Sequence, residues 1–412
     1  MLKILYILGA YKPRASANGL CSDNIIQELV AKGHDVTVIS NRITDCVKYT
    51  EENGVKIHRI KPRFYIRITD WLIVNKNNKP VICKIIRKGA ELLNKAKLLL
   101  TLSTWPFISP LYCYRFYRKA VVLHKKERFD AVVSVYTPVD AFFAGYKLKR
   151  RFSDIKFIPY FLDSLSGGYG PQYFSKKQII KRGLKIENRV FPFAYKIILM
   201  KSSEEHHLKY NSTYKEKFCF LDIPMLKQQN IVEKTQKDET VKLLFVGSIA
   251  AKVRNPDTLI NALKGLKKQN VNCEFVGNID CKDRFSELVT LFGDRLVFTD
   301  FINHDELTKK FCEADFLINI GNAVSTMVPS KIFEYMSYGK PIISTFDIAD
   351  EPSKKYLEKY PLALLLSGEN SPEENAREID IFISNNLGKT VEFEELEKDF
   401  FLNTPQAFIA EV

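Results

Sequence analysis

Short runs rich in Val, Ile, Leu and Phe alternate along this chain with amphipathic stretches of about ten to fifteen residues. Such alternation is the pattern of repeated βαβ units, in which helices connect parallel strands and cover both faces of the sheet. With 412 residues, the chain is too long for one ordinary hydrophobic core and fits two domains of roughly 200 residues each. We therefore predict an α/β fold with two doubly wound parallel-sheet domains.

The strand pattern is interrupted by the polar segment 227–239, which has the composition of a linker between domains. We predict an N-terminal domain over residues 1–226, a C-terminal domain over 240–390 and a helical tail over 391–412. The predicted strands are 3–8, 35–40, 56–60, 131–135, 156–160, 196–200 and 217–221 in the first domain, and 242–246, 272–276, 296–298, 316–320, 341–345 and 363–366 in the second.

Cysteine usage and the apolar segments point to the cytoplasm. The eight cysteines are scattered without a C-x-x-C pair, which is typical of small buried side chains in a reducing compartment. The apolar stretch at the N-terminus is about seven residues long and lacks a small-residue cleavage site, so we expect no signal peptide. The longest uncharged stretch, 98–114, contains two prolines and is too short for a confident membrane span.

The net charge of +14 arises in one segment of the N-terminal half. Residues 58–128 contain 17 Lys and Arg against 3 Asp and Glu, so acids and bases are equal in number over the remaining chain. Interspersed aromatic residues such as Trp71 and Trp105 suit the headgroup region of an anionic membrane. Two solvated amphipathic helices that cover one sheet face would show the same pattern, and this alternative stays open. No nucleic-acid-binding motif accompanies the charge, so we expect no nucleic acid partner.

The most informative segment is 328–343, VPSKIFEYMSYGKPII. It predicts a loop after strand 316–320, an N-cap at Ser330, a two-turn helix from Lys331 and a stop at Gly339. A helix N-terminus beside a loop is suited to a diphosphate, and Lys331 in the first turn opposes the helix dipole unless an anion is near. Glu334, one turn later, is suited to accept hydrogen bonds from both hydroxyls of a ribose.

This segment resembles the donor-site motif of GT-B glycosyltransferases in or near family 4, the glycosyl transferases group 1. In that family a P-S-K-[apolar]-[apolar]-E-Y string is followed by G-K-P-[apolar], as it is here from Pro329 onward. The resemblance implies two Rossmann-like domains that face each other across a cleft, with Glu334 on the nucleotide ribose. Many members carry a second glutamate eight residues earlier, where it contacts the donor sugar; Thr326 occupies that position here.

Two further segments of the second half extend the donor site. The stretch FVGSIAAKVRNP, 245–256, predicts a loop in which Gly247 and Ser248 leave the backbone open to a ligand, while Lys252 and Arg254 offer charge to a diphosphate. It is similar to the family's F-V-G segment, whose basic residues neutralise the departing phosphate. The resemblance also places Gly277, at a strand end, beside the nucleotide base.

Acceptor residues are expected in the first half. Gly19, in a predicted loop at 17–20 between the first strand and a helix over 21–31, would let a substrate approach backbone N–H groups. Asp163 follows strand 156–160 and would orient or deprotonate an acceptor hydroxyl, although a helix-capping role stays open. The histidine that many family members place after the fourth strand is absent. His206 and His207 are interpreted as surface residues.

Together these features predict a glycosyltransferase that moves a hexose-type sugar from a nucleoside diphosphate donor, a UDP-sugar, to a hydroxyl of a saccharide or polyprenyl-diphosphate-linked acceptor. The catalytic candidates are Asp163, Arg254 and Lys331. The resemblance implies no cofactor and no metal ion. From the localised positive charge we expect a peripheral position on the inner face of the cell membrane, in cell-surface polysaccharide synthesis. A GT-B sugar-nucleotide epimerase, and a non-catalytic membrane- or nucleic-acid-binding protein with a degenerate GT-B fold, remain as alternatives.

Overall fold

The computed structural model describes residues 1–13, 15–43, 46–75, 78–168, 170–171, 173–229, 240–251, 253–323 and 329–412, and of 94–102 and 304 the backbone alone. The chain divides into two compact units. The first unit is Met1–Pro224 together with Pro405–Val412, and the second is Met225–Thr404.

The first unit contains an eight-stranded sheet in the order β3-β4-β2-β1-β5-β6-β7-β8, in which all neighbours are parallel except β3 and β4. Apolar side chains are buried on both faces of this sheet. Its elements are β1 (Lys3–Ile7), α1 (Ala17–Ala31), β2 (Asp35–Asn41), β3 (Tyr49–Glu52), β4 (Val55–Ile60), α2 (Phe64–Asn75), α3 (Pro80–Thr101), α4 (Pro110–Glu127), β5 (Ala131–Val135), α5 (Val139–Arg151), β6 (Lys156–Phe161), α6 (Lys176–Val190), β7 (Ile197–Met200), α7 (Glu204–Tyr210) and β8 (Phe218–Leu221).

The second unit contains a six-stranded, fully parallel sheet in the order β11-β10-β9-β12-β13-β14. Its elements are β9 (Val241–Val246), α8 (Asp257–Lys264), β10 (Val271–Val276), α9 (Ser286–Phe292), β11 (Leu296–Thr299), α10 (His304–Glu313), β12 (Phe316–Ile320), α11 (Lys331–Met336), β13 (Ile342–Phe346), α12 (Lys354–Leu357), β14 (Ala363–Ser367), α13 (Pro372–Asn386) and α14 (Phe393–Phe400). The predicted α/β class with two parallel sheets is confirmed.

All thirteen predicted strands are present, with ends that differ by at most one residue. The additional strand, β3, is polar and largely exposed, so it lacks the apolar run that marked the others. It pairs antiparallel with β4 across a turn in which Asn53 and Gly54 both have positive φ. An Asn-Gly pair is the usual signal of such a hairpin, and it was the local clue to this strand.

The C-terminal tail predicted over 391–412 is divided between the two units. Residues up to Thr404, with α14, belong to the second unit, whereas α15 (Pro405–Ile409) and the last residues belong to the first. Phe408 in α15 packs against Tyr160, with ring centroids 5.1 Å apart, and Glu411 pairs with Lys196 at 2.5 Å. An apolar contact and an ion pair thus attach the chain end to the first sheet.

The basic segment 58–128 forms α2, α3 and α4. Helix α4 packs on the sheet through residues such as Tyr112, Phe116 and Ala120, as the interpretation of a helix covering a sheet face requires. Helices α2 and α3 differ, since Phe64 and Ile85 are each 68% exposed. Among the described residues, no helix is long and apolar enough to span a membrane.

Candidate functional site

The second sheet has its topological switch point between β9 and β12. From β9 the chain adds β10 and β11 on one side, then crosses to add β12, β13 and β14 on the other. In doubly wound sheets, ligands bind at the carboxyl ends of the strands beside such a point. The predicted donor residues follow these strand ends.

Arg254 connects the loops that follow β9 and β12. Its Nε donates to Asn322 Oδ1 at 2.9 Å, and its Nη1 donates to the carbonyl of Ser248 at 3.2 Å. Ala323 N also donates to the carbonyl of Val253 at 2.7 Å. Burial lowers the pKa of Arg254, although a guanidinium stays protonated in proteins. A positive charge is therefore held at the switch point by neutral partners.

Gly247 and Gly277 lie at the adjacent ends of β9 and β10, with φ of 154° and 131°. Their backbone N–H groups donate within the sheet, to Val276 and Thr299 respectively. A Cβ added at Gly277 would lie 2.0 Å from the carbonyl oxygen of Gly247. Gly277 thus permits close packing of the two strand ends, and the amides of both glycines are used within the sheet.

Tyr335 fixes helix α11 to the end of β9. Its hydroxyl accepts from Val246 N at 2.9 Å and donates to the Val246 carbonyl at 3.1 Å. Burial raises the pKa of Tyr335, so the hydroxyl stays neutral and able to donate. These two bonds set the position of the helix that carries Glu334.

Glu334 and Lys331 form a short ion pair on α11. Lys331 Nζ lies 2.6 Å from Glu334 Oε2, and the Glu334 side chain is 12% exposed. A residue of the same helix therefore already pairs with the first-turn lysine, and the expectation that Lys331 meets an anionic ligand stays a prediction. Oε1 of Glu334 accepts no hydrogen bond from the described residues.

Helix α11 begins at Lys331 with Ser330 at the N-cap position, as predicted. Ser330 has helical φ and ψ of −60° and −22°, however, and makes no side-chain capping bond. The Pro329 carbonyl accepts from Ile332 N at 3.3 Å. Lys252 and Thr326, both predicted in the donor site, lie outside the described residues.

Asn322 and Glu351 join this site without having been predicted. The buried Glu351 carboxylate accepts from Asn322 N at 3.1 Å and from Ser353 N at 2.9 Å, and Ser353 Oγ also donates to it. Glu351 thus holds Asn322, which in turn holds Arg254. No local pattern marked either residue, since Asn322 and Glu351 are 29 positions apart in the sequence.

Asp163 lies just past the end of β6, as predicted. Its carboxyl group is accessible to solvent, but protein atoms surround much of it. The partial loss of hydration raises the pKa of Asp163, and a hydrogen bond with Asn18 opposes this effect. The next helix, α6, is capped by Ser175, so Asp163 caps no helix here. The Asn18 side chain is also 3.5 Å from the carbonyl of Tyr136, in the segment where many family members have histidine.

Gly19 is corrected from a loop residue to a helix residue. Helix α1 begins at Ala17, and Gly19 N donates to the N-cap Ser16 Oγ at 3.2 Å. A Cβ added at Gly19 would lie 2.3 Å from the carbonyl oxygen of Ala10. The glycine is required for this close approach, and its N–H is already used.

His207 is buried rather than a surface residue. Its Nδ1 is 3.0 Å from Asn211 Oδ1, and its Nε2 is 3.0 Å from Ser164 Oγ, in the loop that carries Asp163. Burial lowers the pKa of His207 to about 4, so the ring is neutral at pH 7. Nδ1–H then donates to Asn211, and the Ser164 hydroxyl donates to Nε2.

A second set of contacts holds the same loop through Ser166. Its N–H and hydroxyl donate to the two oxygens of the buried Glu187 at 2.9 and 2.7 Å, and His206 Nε2 lies 2.8 Å from its Oγ. Because the hydroxyl proton is used, His206 donates to Ser166. Burial raises the pKa of Glu187 to about 7. Two neighbouring polar contacts therefore position the Asp163 loop.

Within the described ranges, no group of three or more His, Cys, Asp and Glu side chains is placed to hold a metal ion. All eight cysteines are free.

The second unit matches a known enzyme family. Residues 240–385 match the family model of glycosyl transferases group 1, a range that includes the loop after β9 and helix α11. No curated protein sequence matches this chain.

Solved structures resemble the whole chain at the level of the fold. Anabaena HepE in complex with UDP is 15% identical with a TM-score of 0.57, over 100% of this chain and 99% of that one. Sucrose-phosphate synthase from Thermosynechococcus elongatus is 14% identical with a TM-score of 0.55, over all of both chains. A structure assigned to a UDP-N-acetylglucosamine 2-epimerase from Listeria monocytogenes is 10% identical with a TM-score of 0.52, over 98% and 91%.

The chain therefore has the GT-B fold, and its predicted resemblance to GT-B glycosyltransferases is confirmed. Its second unit carries the glycosyl transferases group 1 domain, which supports a transferase.

We predict that Tyr335→Phe destabilises the protein by about 1 to 3 kcal/mol, because two buried backbone groups of Val246 lose their partner. Urea denaturation measures the effect. Tyr360→Phe, which removes one hydrogen bond to the Lys340 carbonyl, is the control and should destabilise the protein less. Unchanged stability of Tyr335→Phe would contradict the assigned role.

Glu187 makes a pH-dependent contribution to stability. Its pKa is raised from 4.5 to about 7 in the folded state, so the folded protein retains this proton where the unfolded chain has lost it. Rising pH across this interval should therefore lower the wild-type free energy of unfolding, relative to Glu187→Gln, by about 3 kcal/mol. Urea denaturation of both proteins at several pH values measures the difference. Glu205→Gln, an exposed carboxyl change on α7, should show no such trend, and a pH-independent difference for Glu187→Gln would refute the prediction.

Proposed function

We propose that this protein transfers a hexose-type sugar from a UDP-sugar to a hydroxyl of a saccharide or lipid-linked saccharide in cell-surface polysaccharide synthesis. The observation that carries the proposal is the position of Glu334, on a helix that Tyr335 attaches to the switch point of the second sheet. The match of this unit to glycosyl transferases group 1 supports it.

The donor would bind to the second unit. One oxygen of the Glu334 carboxylate accepts no hydrogen bond from the described residues. The other oxygen, which accepts from Lys331, would become available if Lys331 moved to the diphosphate. Two vicinal ribose hydroxyls fit these two oxygens. Arg254, which among the described residues donates hydrogen bonds to neutral groups and has the Glu351 carboxylate nearby, would face the diphosphate.

The chemical step moves one sugar and one proton. The acceptor oxygen bonds to the anomeric carbon, the bond from that carbon to the diphosphate oxygen breaks, and UDP leaves. Arg254 and Lys331 would stabilise the developing negative charge on the diphosphate without a metal ion. Asp163, whose pKa is raised by burial, is the candidate that receives the hydroxyl proton. The donor candidates Arg254 and Lys331 belong to the second unit, and the acceptor candidate Asp163 belongs to the first.

The acceptor would be presented at the inner face of the cell membrane. The excess positive charge of the chain lies in 58–128, and α2 and α3 of that segment expose large apolar side chains such as Phe64 and Ile85. Basic residues interspersed with apolar ones favour binding to the surface of an anionic bilayer.

We expect Glu334→Ala to weaken UDP binding by about 3 kcal/mol, because a carboxylate that holds two ribose hydroxyls is lost. Calorimetric titration with UDP measures this loss. Glu395→Ala, an exposed carboxylate change on α14 in the same unit, should bind UDP like the wild type. Equal UDP affinity of folded Glu334→Ala and wild type would remove the nucleotide assignment.

A combined flotation and turnover experiment separates the alternatives. The protein is expected to float with anionic vesicles, and to do so less at high salt. It should consume UDP-sugar faster when a lipid-linked acceptor is present. Treatment with EDTA should not abolish this turnover. Conversion of the UDP-sugar to its epimer without acceptor would favour an epimerase, whose fold this chain shares. Flotation without any turnover would favour a non-catalytic membrane protein.

A further inference from the structure

Two grooves adjoin at the first turns of α2. An apolar groove of about 410 Å³ is lined by Phe64, Ile68, Leu93, Phe107 and Leu111, with Arg63 and Arg115 beside them. A second groove, also of about 410 Å³, is lined by Arg42, Lys61 and Arg67 together with Asp70 and Trp71, and it shares Phe64 and Ile68 with the first. An apolar surface thus continues into a basic one.

The apolar groove keeps large side chains in contact with water. Leu93 is 63% exposed and Leu111 is 60% exposed, so the groove walls gain apolar burial only when a ligand enters. Leu92, the neighbour of Leu93 on α3, is 70% exposed but lines neither groove. The groove therefore includes some of the exposed apolar side chains of α3 and excludes others.

The charges beside the grooves differ in how they are compensated. Arg63 pairs with the buried Asp140 and lies over the ring of Tyr112, at 5.1 Å from its centroid, so its charge is largely balanced within the protein. Arg115 instead donates to the carbonyls of Lys61 and Pro62 at 3.0 and 3.2 Å, and no carboxylate among the described residues forms an ion pair with it. Arg115 and Lys61 are thus available to an anion, with Arg42 in the adjoining groove.

The grooves lie on the edge of the sheet that also carries Asp163. Lys61 directly follows β4 and Arg42 directly follows β2, both at the carboxyl end, and Asp163 follows β6 at the same edge. In the order β4-β2-β1-β5-β6, four strand spacings of roughly 4.8 Å separate the ends of β4 and β6, about 19 Å in all. The basic residues therefore share this edge with Asp163, and Ser109, which lines the apolar groove, donates its N–H to Asp140 in the first turn of α5, which follows β5, the neighbour of β6.

We propose that the apolar groove binds the hydrocarbon chain of a lipid phosphate or diphosphate, and that Arg115, Lys61 and Arg42 bind its phosphates. This inference rests on the proposed function, for which it supplies the acceptor subsite: a lipid-linked saccharide would extend from the groove along the strand ends towards Asp163. An apolar chain with an anionic end matches both the groove and the charges beside it.

Farnesyl diphosphate tests the proposal, because it binds as a soluble molecule without a bilayer. Calorimetric titration of the full chain with farnesyl diphosphate should show binding, with farnesol and inorganic diphosphate each binding at least about tenfold more weakly, since each lacks half of the contacts. Binding of either part as tightly as the whole would overturn the proposal, as would no binding of farnesyl diphosphate.

Matched variants locate the bound molecule. Leu93→Glu should weaken farnesyl diphosphate binding at least about tenfold, because it places a carboxylate in the apolar wall, and Lys61→Ala should weaken it several-fold. Leu92→Glu and Lys88→Ala, exposed changes on α3 outside both grooves, should bind like the wild type. Equal affinities of Leu93→Glu and Leu92→Glu would contradict the assigned groove.

UDP titration of the same variants separates this inference from the proposed function. All variants should bind UDP with wild-type affinity, since the donor residues lie in the other unit. UDP binding without farnesyl diphosphate binding would refute the lipid subsite alone. Farnesyl diphosphate binding without UDP binding would refute the donor assignment and leave the groove in place.

Discussion

The donor site depends on the pair of hydrogen bonds between the Tyr335 hydroxyl and the backbone of Val246. Both groups are buried, so each bond satisfies a polar atom that water does not reach. The bonds attach α11 to β9, and the loop after β9 carries Arg254, whose side chain is held by Asn322 in the loop after β12. The residues proposed for the ribose and for the diphosphate are thereby placed on a common frame.

The proposed binding sites also depend on arginine side chains that are held by uncharged hydrogen-bond acceptors. Arg254 is held by an amide oxygen and a carbonyl, and Glu351 stabilises the loop that supplies the amide. In the first unit, Arg115 is likewise held by carbonyls. Such groups orient a cation without cancelling its charge, and the charge stays available to phosphate.

The fold could be predicted from the sequence because most of its strands are buried on both faces and read as continuous apolar runs. The exposed strand β3 lacks that signal and was missed. The donor motif was found because its residues are contiguous, whereas Asn322, Glu187 and Glu351 act through partners distant in the sequence. The pairing of Lys331 with Glu334 of the same helix was not predicted from the sequence. The surroundings of Gly19 and His207 could not be predicted from the sequence either, because both residues are enclosed by tertiary packing.

A crystal structure of the full chain with UDP tests the central claim most directly. The account predicts that both ribose hydroxyls lie within hydrogen-bonding distance, about 3 Å, of the Glu334 carboxylate, with the diphosphate beside Arg254. A nucleotide bound elsewhere, with Glu334 still paired to Lys331 alone, would contradict it.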